Sequence, residues 1–205
     1  MPRKTDKRIR LIEAAKVLIH QQGFNLTTLA DIAQEADVPL GNVYYYFKTK
    51  EAIGIAVIEK WASEWTERLA KWEDIADPLA RLFVLIRHGL DNLEMVARFG
   101  CPIGGLCQEL GKQGGPLADL AAKLLHDVLQ WTEAQFRALG FEEKAAEYGL
   151  TITSTIQGMF LLTHTFKDPK ISEKQAKGLE DWLVKMIGRK PEMAAVKVEE
   201  LAYAD

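Results

Sequence analysis

From residue 6 to residue 188 the apolar residues return at intervals of three and four, one segment after another, with glycines and prolines between the runs. Such a period marks one buried stripe on a helix, so the chain reads as all-α almost throughout. Residues 6–22 place Ile9, Ile12, Ala15, Leu18 and Ile19 on one face and stop at Gly23. In "TTLADIAQEADV", Thr27 is expected to cap a short helix whose inner face is Leu29, Ile32 and Ala33. A third helix opens at Pro39, where a fixed φ and a missing N–H suit a first turn, and runs to about Tyr44. Three short helices, the second and third joined by the tight "EADVP" turn, describe a helix-turn-helix.

Charge is segregated along the chain. The net charge is −3, but residues 1–50 carry a balance of +3 and the remainder −6. A basic first quarter on an acidic body fits an anionic partner for the N-terminal part. The segment "VPLGNVYYYFKTKEA", residues 38–52, sets four consecutive aromatics beside two lysines. In a helix-turn-helix the second helix enters the major groove, and flanking residues hold phosphates. Gly41 allows close approach, Leu40 suits a thymine methyl, and Asn42 can read an adenine edge. Tyr44 and Tyr45 offer hydroxyls to phosphates, Lys48 and Lys50 add charge, and Phe47 is expected in the small core.

Residues 23–53, "GFNLTTLADIAQEADVPLGNVYYYFKTKEAI", resemble the DNA-binding region of the TetR/AcrR family of bacterial transcriptional regulators. The resemblance rests on Gly23-Phe24, Thr27-Thr28, Asp31-Ile32-Ala33, Gly41, Val43 to Phe47 and Thr49-Lys50-Glu51. It implies that Thr27, Thr28 and Pro39 join the DNA-contacting set above. Three positions depart from the family pattern: Asp37 replaces the usual turn glycine, Pro39 the usual serine, and Ala30 a longer side chain.

The resemblance further implies a DNA-binding domain over residues 1–49, a helical ligand-binding and dimerisation domain over 50–188, and a tail over 189–205. Residues 50–72 carry Gly54, Ile58, Trp61, Trp65 and Trp72 on one stripe, either a core seam or the wall of a ligand cavity. Residues 77–99 read as one amphipathic helix with His88 on it, either hydrogen-bonded at the core edge or anchoring a ligand. "FGCPIGGLCQELGKQGGPL", residues 99–117, reads as a loop, a short helix begun by Pro102, and a second loop. Cys101 would sit at that helix N-terminus, where a thiolate is favoured. "GCPIG" resembles a subgroup of the family in which such a cysteine senses electrophiles; the alternative is two small apolar core side chains, Cys101 and Cys107. Trp61, Trp65, His88, Phe99, Cys101, Cys107 and Trp131 are the candidate pocket lining.

Further helices are expected over 116–139, 142–166 and 172–188. By resemblance, the last two pair with their copies in a second subunit, with Ile152, Ile156, Met159, Phe160, Leu179 and Trp182 as candidate interface. A dimer also suits a palindromic operator, since one recognition helix reads only a few base pairs.

The sequence argues against other classes. "GKQG" at 111 lacks the upstream glycine of a phosphate loop, which would be Leu106, and has Gln113 in place of Ser/Thr. The histidines at 20, 88, 126 and 164 have no ligand spacing, so neither metal nor cofactor is expected. No Gly-x-Ser-x-Gly occurs, and no enzyme is expected. With no apolar run long enough for a bilayer and no signal-like N-terminus, a cytoplasmic protein is expected. Two functions remain: a dimeric regulator, presumed a repressor by resemblance and released from DNA by an apolar ligand or electrophile, or an architectural DNA-binding protein whose C-terminal part only dimerises.

Overall fold

The computed structural model describes residues 4–192, all of whose regular elements are helical. The expected tail therefore lies largely outside the described residues. Among the described residues ten α-helices run in order: α1 Lys4–Gln22, α2 Leu29–Glu35, α3 Leu40–Tyr46, α4 Lys50–Glu73, α5 Pro78–His88, α6 Leu93–Phe99, α7 Pro102–Gly111, α8 Pro116–Ala138, α9 Ala145–Phe166 and α10 Lys170–Ile187. They form two compact units. One comprises residues 4–64 with Cys101–Leu125, the other Trp65–Gly100 with residues 126–192. This division differs from a single cut at residue 49, because α4 and α8 each supply a part to both units and α7 folds with the N-terminal helices.

In the first unit Leu11, Ala15, Ile32, Val43, Ile53 and Val57 are almost fully buried. They come from four helices and make one small core, and Phe47 joins it as expected. α4 passes close to the turn after α1 because residue 54 is glycine: a Cβ there would lie 2.7 Å from the Phe24 ring. Outside the core, Lys16 bridges Glu64 at 2.5 Å and Glu13 at 3.2 Å, with Lys60 completing the network at 3.3 Å from Glu64.

The second unit is built on α9. α10 and α6 pack along it, and α5 packs on α10. Ile152, Met159, Leu183, Leu79, Leu82 and Ile86 are its most enclosed aliphatic residues. α8 approaches α9 at Gly149, where a Cβ would fall 2.7 Å from Glu133 Cγ and 3.2 Å from its backbone nitrogen. The α9–α10 corner is tied by a buried hydroxyl pair, Thr163 and Ser172, at 2.7 Å.

The expected single helix over 77–99 is two. α5 ends at His88, residues 89–92 form a turn, and α6 restarts after Asn92. Gly89 belongs at this break, since a Cβ there would meet Phe160 Cζ at 2.9 Å. His88 and Asp91 are bonded across the turn at 2.9 Å. The 99–117 segment follows its expected plan: α7 begins at Pro102 and a glycine-containing loop leads to α8.

Candidate DNA-binding site and effector-side residues

α2 is capped by Thr28, not Thr27. The Thr28 hydroxyl accepts the Asp31 N–H at 3.1 Å, and the Asp31 carboxylate accepts the Thr28 N–H at 2.9 Å, a reciprocal capping box. Thr28 holds the Asp31 carboxyl below its ordinary range, first through its side-chain hydroxyl and then through its backbone N–H. Thr27 is 1% exposed; its hydroxyl donates to Gly23 O at 2.7 Å and takes the Gln22 amide at 3.3 Å. A side chain so enclosed braces the turn and has no surface to offer DNA.

The turn between α2 and α3 is closed by Val38 N–H donating to Ala33 O at 2.9 Å. Asp37 takes φ +49, the left-handed conformation that the family glycine would take without strain. Arg10 of α1 compensates: it donates to Ala36 O, to Asp37 O at 2.9 Å and to Asp37 Oδ2 at 3.3 Å. The carbonyls at the C-terminal end of α2 thus gain a cation.

Pro39 stands one residue before α3, as its N-cap rather than in its first turn, and α3 continues to Tyr46. Val43 is fully buried and fixes the helix's inner face. Outward face Leu40, Gly41, Tyr44 and Tyr45, with Asn42 half-buried beside them. Gly41 has open space where a Cβ would be. The Tyr45 ring stands edge-on to Tyr46 at 5.0 Å, which fixes its direction. Lys48 is exposed, as is Ala30 on α2. Lys50 lies on the turn before α2, its ammonium donating to Asn25 O at 2.7 Å over the Phe24 ring at 4.8 Å. The N-terminus of α4 is capped by Thr49, whose hydroxyl accepts the Ala52 N–H at 3.2 Å.

The effector-side candidates fall in both units. In the first, Trp61 is buried, while Cys101 and Cys107 are half-buried thiols. Cys101 is the N-cap of α7, its sulfur accepting the Gly104 N–H at 3.3 Å. Cys107 donates to Ala121 O at 3.3 Å, and burial, aided by Cys101, pushes its thiol up to about 11. The helix between the two thiols is regular.

In the second unit Trp65, Trp72, Trp131 and His88 converge. Trp72 is fully buried, with ring centroids 6.1 Å from Trp65, 5.5 Å from His88 and 5.7 Å from Trp131. Trp131 is held by its indole N–H on Glu73 at 2.6 Å. Arg68 donates to His88 Nε2 at 2.7 Å, so the ring proton sits on Nδ1 and is given to Asp91. Burial, the largest influence, lowers the His88 pKa; Asp91 opposes it and Arg68 adds to the fall. Phe99 is half-buried under the Arg98 guanidinium, 4.8 Å from its ring.

Ile152, Ile156, Met159, Phe160 and Leu179 are all buried within this one chain, and Trp182 stands edge-on to Tyr148 at 5.8 Å. The apolar residues that α9 turns outward are others: Leu150, Leu161, Leu162 and Phe166. Nothing in the sequence marks Arg10, or Glu109 of α7, which accepts the distant Phe24 and Asn25 N–H groups, because a charged residue on a helix gives no signal of a remote backbone partner. Among the described residues no group of three or more His, Cys, Asp or Glu is placed to hold a metal, and no helix is long and apolar enough to cross a membrane.

Residues 11–57 match the family described as bacterial regulatory proteins, tetR family. The chain is 29% identical over 178 residues to the HTH-type regulator YxaF of Bacillus subtilis, covering 82% of this chain and 90% of that one. It is 35% identical over 66 residues to the HTH-type transcriptional repressor NemR of Escherichia coli, about a third of each. A TetR regulator from Legionella pneumophila has the same fold, with a TM-score of 0.77 at 20% identity over 85% of this chain and 95% of that one. The reduced form of E. coli NemR superposes with a TM-score of 0.72 at 19% identity, covering 85% and 96%. With the α2–α3 pair, its capping box and the exposed face of α3 already in place, these likenesses identify residues 11–57 as a helix-turn-helix segment of the tetR family, in a chain that shares the all-helical fold of TetR regulators.

Proposed function

We propose that the protein is a homodimeric repressor that binds a palindromic operator and leaves it when an apolar molecule or an electrophile acts on the helical part of the chain. The observation that carries this reading is the outward face of α3, where Leu40, Gly41, Tyr44 and Tyr45 stand clear beside Asn42. Asn42 reads a base edge, the tyrosines and Lys48 hold phosphates, and Thr28 presents its capped helix end to the backbone. NemR is named a repressor, which favours repression here.

The second copy packs on α9. Leu150, Leu161 and Leu162 are 57%, 53% and 42% exposed, more apolar surface than a solvated helix face usually carries. Gly158 lies among them with open space at its Cβ, leaving room for a partner helix to approach. The buried set of Ile152, Ile156, Met159, Phe160 and Leu179 supports that helix from within. Release is a coupling free energy, on the order of 1–3 kcal/mol, that favours a spacing of recognition helices unable to span both half-sites.

Two effector routes are open to one experiment. The Trp65–Trp72–Trp131–His88 cluster supports an apolar ligand; Cys101 at the cap of α7 supports an electrophile. Electrophoretic shift of the DNA upstream of the protein's own gene, with and without N-ethylmaleimide, is compared for wild type and Cys101→Ser. Release of the wild type alone assigns the thiol route. Persistence of both complexes removes it and leaves the noncovalent route, and no shifted band at any protein concentration would reject the regulator reading.

A further inference from the structure

The carboxylate of Glu109, on the last turn of α7, accepts the backbone N–H groups of Phe24 and Asn25, each at 2.7 Å. Its partners lie 84 and 85 residues away, in the turn between α1 and α2. Gly23 at φ +87 admits the carboxylate; a Cβ there would stand 3.0 Å from Glu109 Oε2. The same turn is gripped twice more. Gln113 donates to Asn25 Oδ1 at 2.8 Å, and Lys50 donates to Asn25 O at 2.7 Å. Asn25 thus has its N–H, its C=O and its side-chain oxygen all engaged, by residues from α7, the loop after it and the start of α4.

Satisfying two amides does not require this. The Asn25 N–H is at the surface, and water would serve it at little cost. What a bidentate charged acceptor adds is a fixed position, because two short bonds to adjacent amides define both distance and direction. The turn so fixed leads directly into Thr27, the buried brace, and Thr28, the cap of α2. On its far side sits Lys50, so the turn is held by an anion at the Asn25 N–H and by a cation at the Asn25 C=O.

Resting on the DNA-binding reading above, we infer that Glu109 is a positioning residue for DNA binding. It holds the α1–α2 turn, and with it the Thr28 cap and the Lys50 ammonium, in the geometry that meets the phosphate backbone. α7 is then part of the DNA-binding machinery although it touches no DNA.

The test uses the full-length protein and Glu109→Gln and Glu109→Asp. The first keeps the length but loses the charge and one acceptor; the second keeps the charge but falls one methylene short. Fluorescence anisotropy on a labelled duplex covering the upstream region of its own gene gives affinity. Amide hydrogen exchange gives the state of the clamp, and thermal melting gives stability. The expected result is roughly tenfold weaker binding by either variant, the size of a typical coupling between sites. Faster exchange at Phe24 and Asn25 and a near-normal melt should accompany it. Equal affinity in a folded variant whose amides exchange faster would overturn the inference. So would loss of cooperative melting in both variants, which would make Glu109 a stability residue. A wild type that binds no DNA sinks the regulator reading and this role together, whereas a binding wild type with equally binding variants sinks only this role.

Discussion

Arg189 closes on Asp77 from 112 residues away, its two terminal nitrogens donating to the two carboxylate oxygens at 2.9 and 2.7 Å. Asp77 also caps α5 through the Leu79 N–H at 3.0 Å and takes the Glu192 N–H at 2.9 Å. The carboxylate is buried with every oxygen engaged by donors, which ties the start of α5 to the segment after α10.

These bonds, the Arg189 pair first, hold the Asp77 carboxyl at about 2 instead of its ordinary 3.8. A carboxyl lowered on folding contributes stability above its unfolded pKa and loses it as pH falls through the folded value. Acid titration of unfolding should therefore show a component lost between about pH 4 and pH 2, worth about 2 kcal/mol at one pKa unit per 1.36 kcal/mol. Asp77→Asn should remove that component, as read by urea denaturation at pH 7 and pH 3.

His88 is expected to titrate below its ordinary range, because burial opposes the charge more than Asp91 favours it and Arg68 donates to the nitrogen a proton would occupy. A histidine lowered on folding favours the neutral form. Its contribution is present above the unfolded pKa of about 6.5 and declines as pH falls below it. Imidazole nitrogen shifts followed by NMR should report a neutral ring protonated on Nδ1 at pH 7. A ring already charged at pH 6.5 would contradict the assignment.

Gly149 and Gly178 offer a matched comparison. A methyl at 149 collides with Glu133 of α8, whereas nothing lies within 4 Å at 178. Gly149→Ala should destabilise by about 1–3 kcal/mol through overpacking. Gly178→Ala, exposed in the middle of α10, should stabilise by up to about 1 kcal/mol. Chemical denaturation of the two variants checks both signs.

On α3 the two kinds of contact separate by substitution. Tyr45→Phe removes one hydroxyl from a 62%-exposed side chain and should weaken binding to all duplexes alike. Asn42→Ala should instead flatten preference at one base pair, by about 1–3 kcal/mol of discrimination. Competition binding with a singly substituted operator set distinguishes them, and an unchanged base preference in Asn42→Ala would remove that residue from base reading.

The helices and the helix-turn-helix were legible because each rests on local spacing. Less local features were not. Thr27 and Thr28 are chemically alike, and only the fold decides that one is enclosed against Gly23 O while the other caps α2. Residues 77–99 keep the three-four period through Leu90 and Leu93, so the break depends on Phe160 lying against Gly89. α9 is apolar on more than one side, and the sequence does not say that Ile152 and Met159 point inward while Leu150 and Leu161 point out. Glu109 sits in a glycine-rich stretch with no local partner, and its clamp exists only once α7 lies beside α1.

The hold of Arg10 on Ala36 and Asp37 bears on how this recognition unit could be transplanted. A family turn with glycine folds back unaided; this one has an aspartate in left-handed backbone and depends on a guanidinium from a different helix. A graft of α2 and α3 alone into another scaffold would leave that turn without its brace. The portable cassette is three helices long and begins upstream of Arg10.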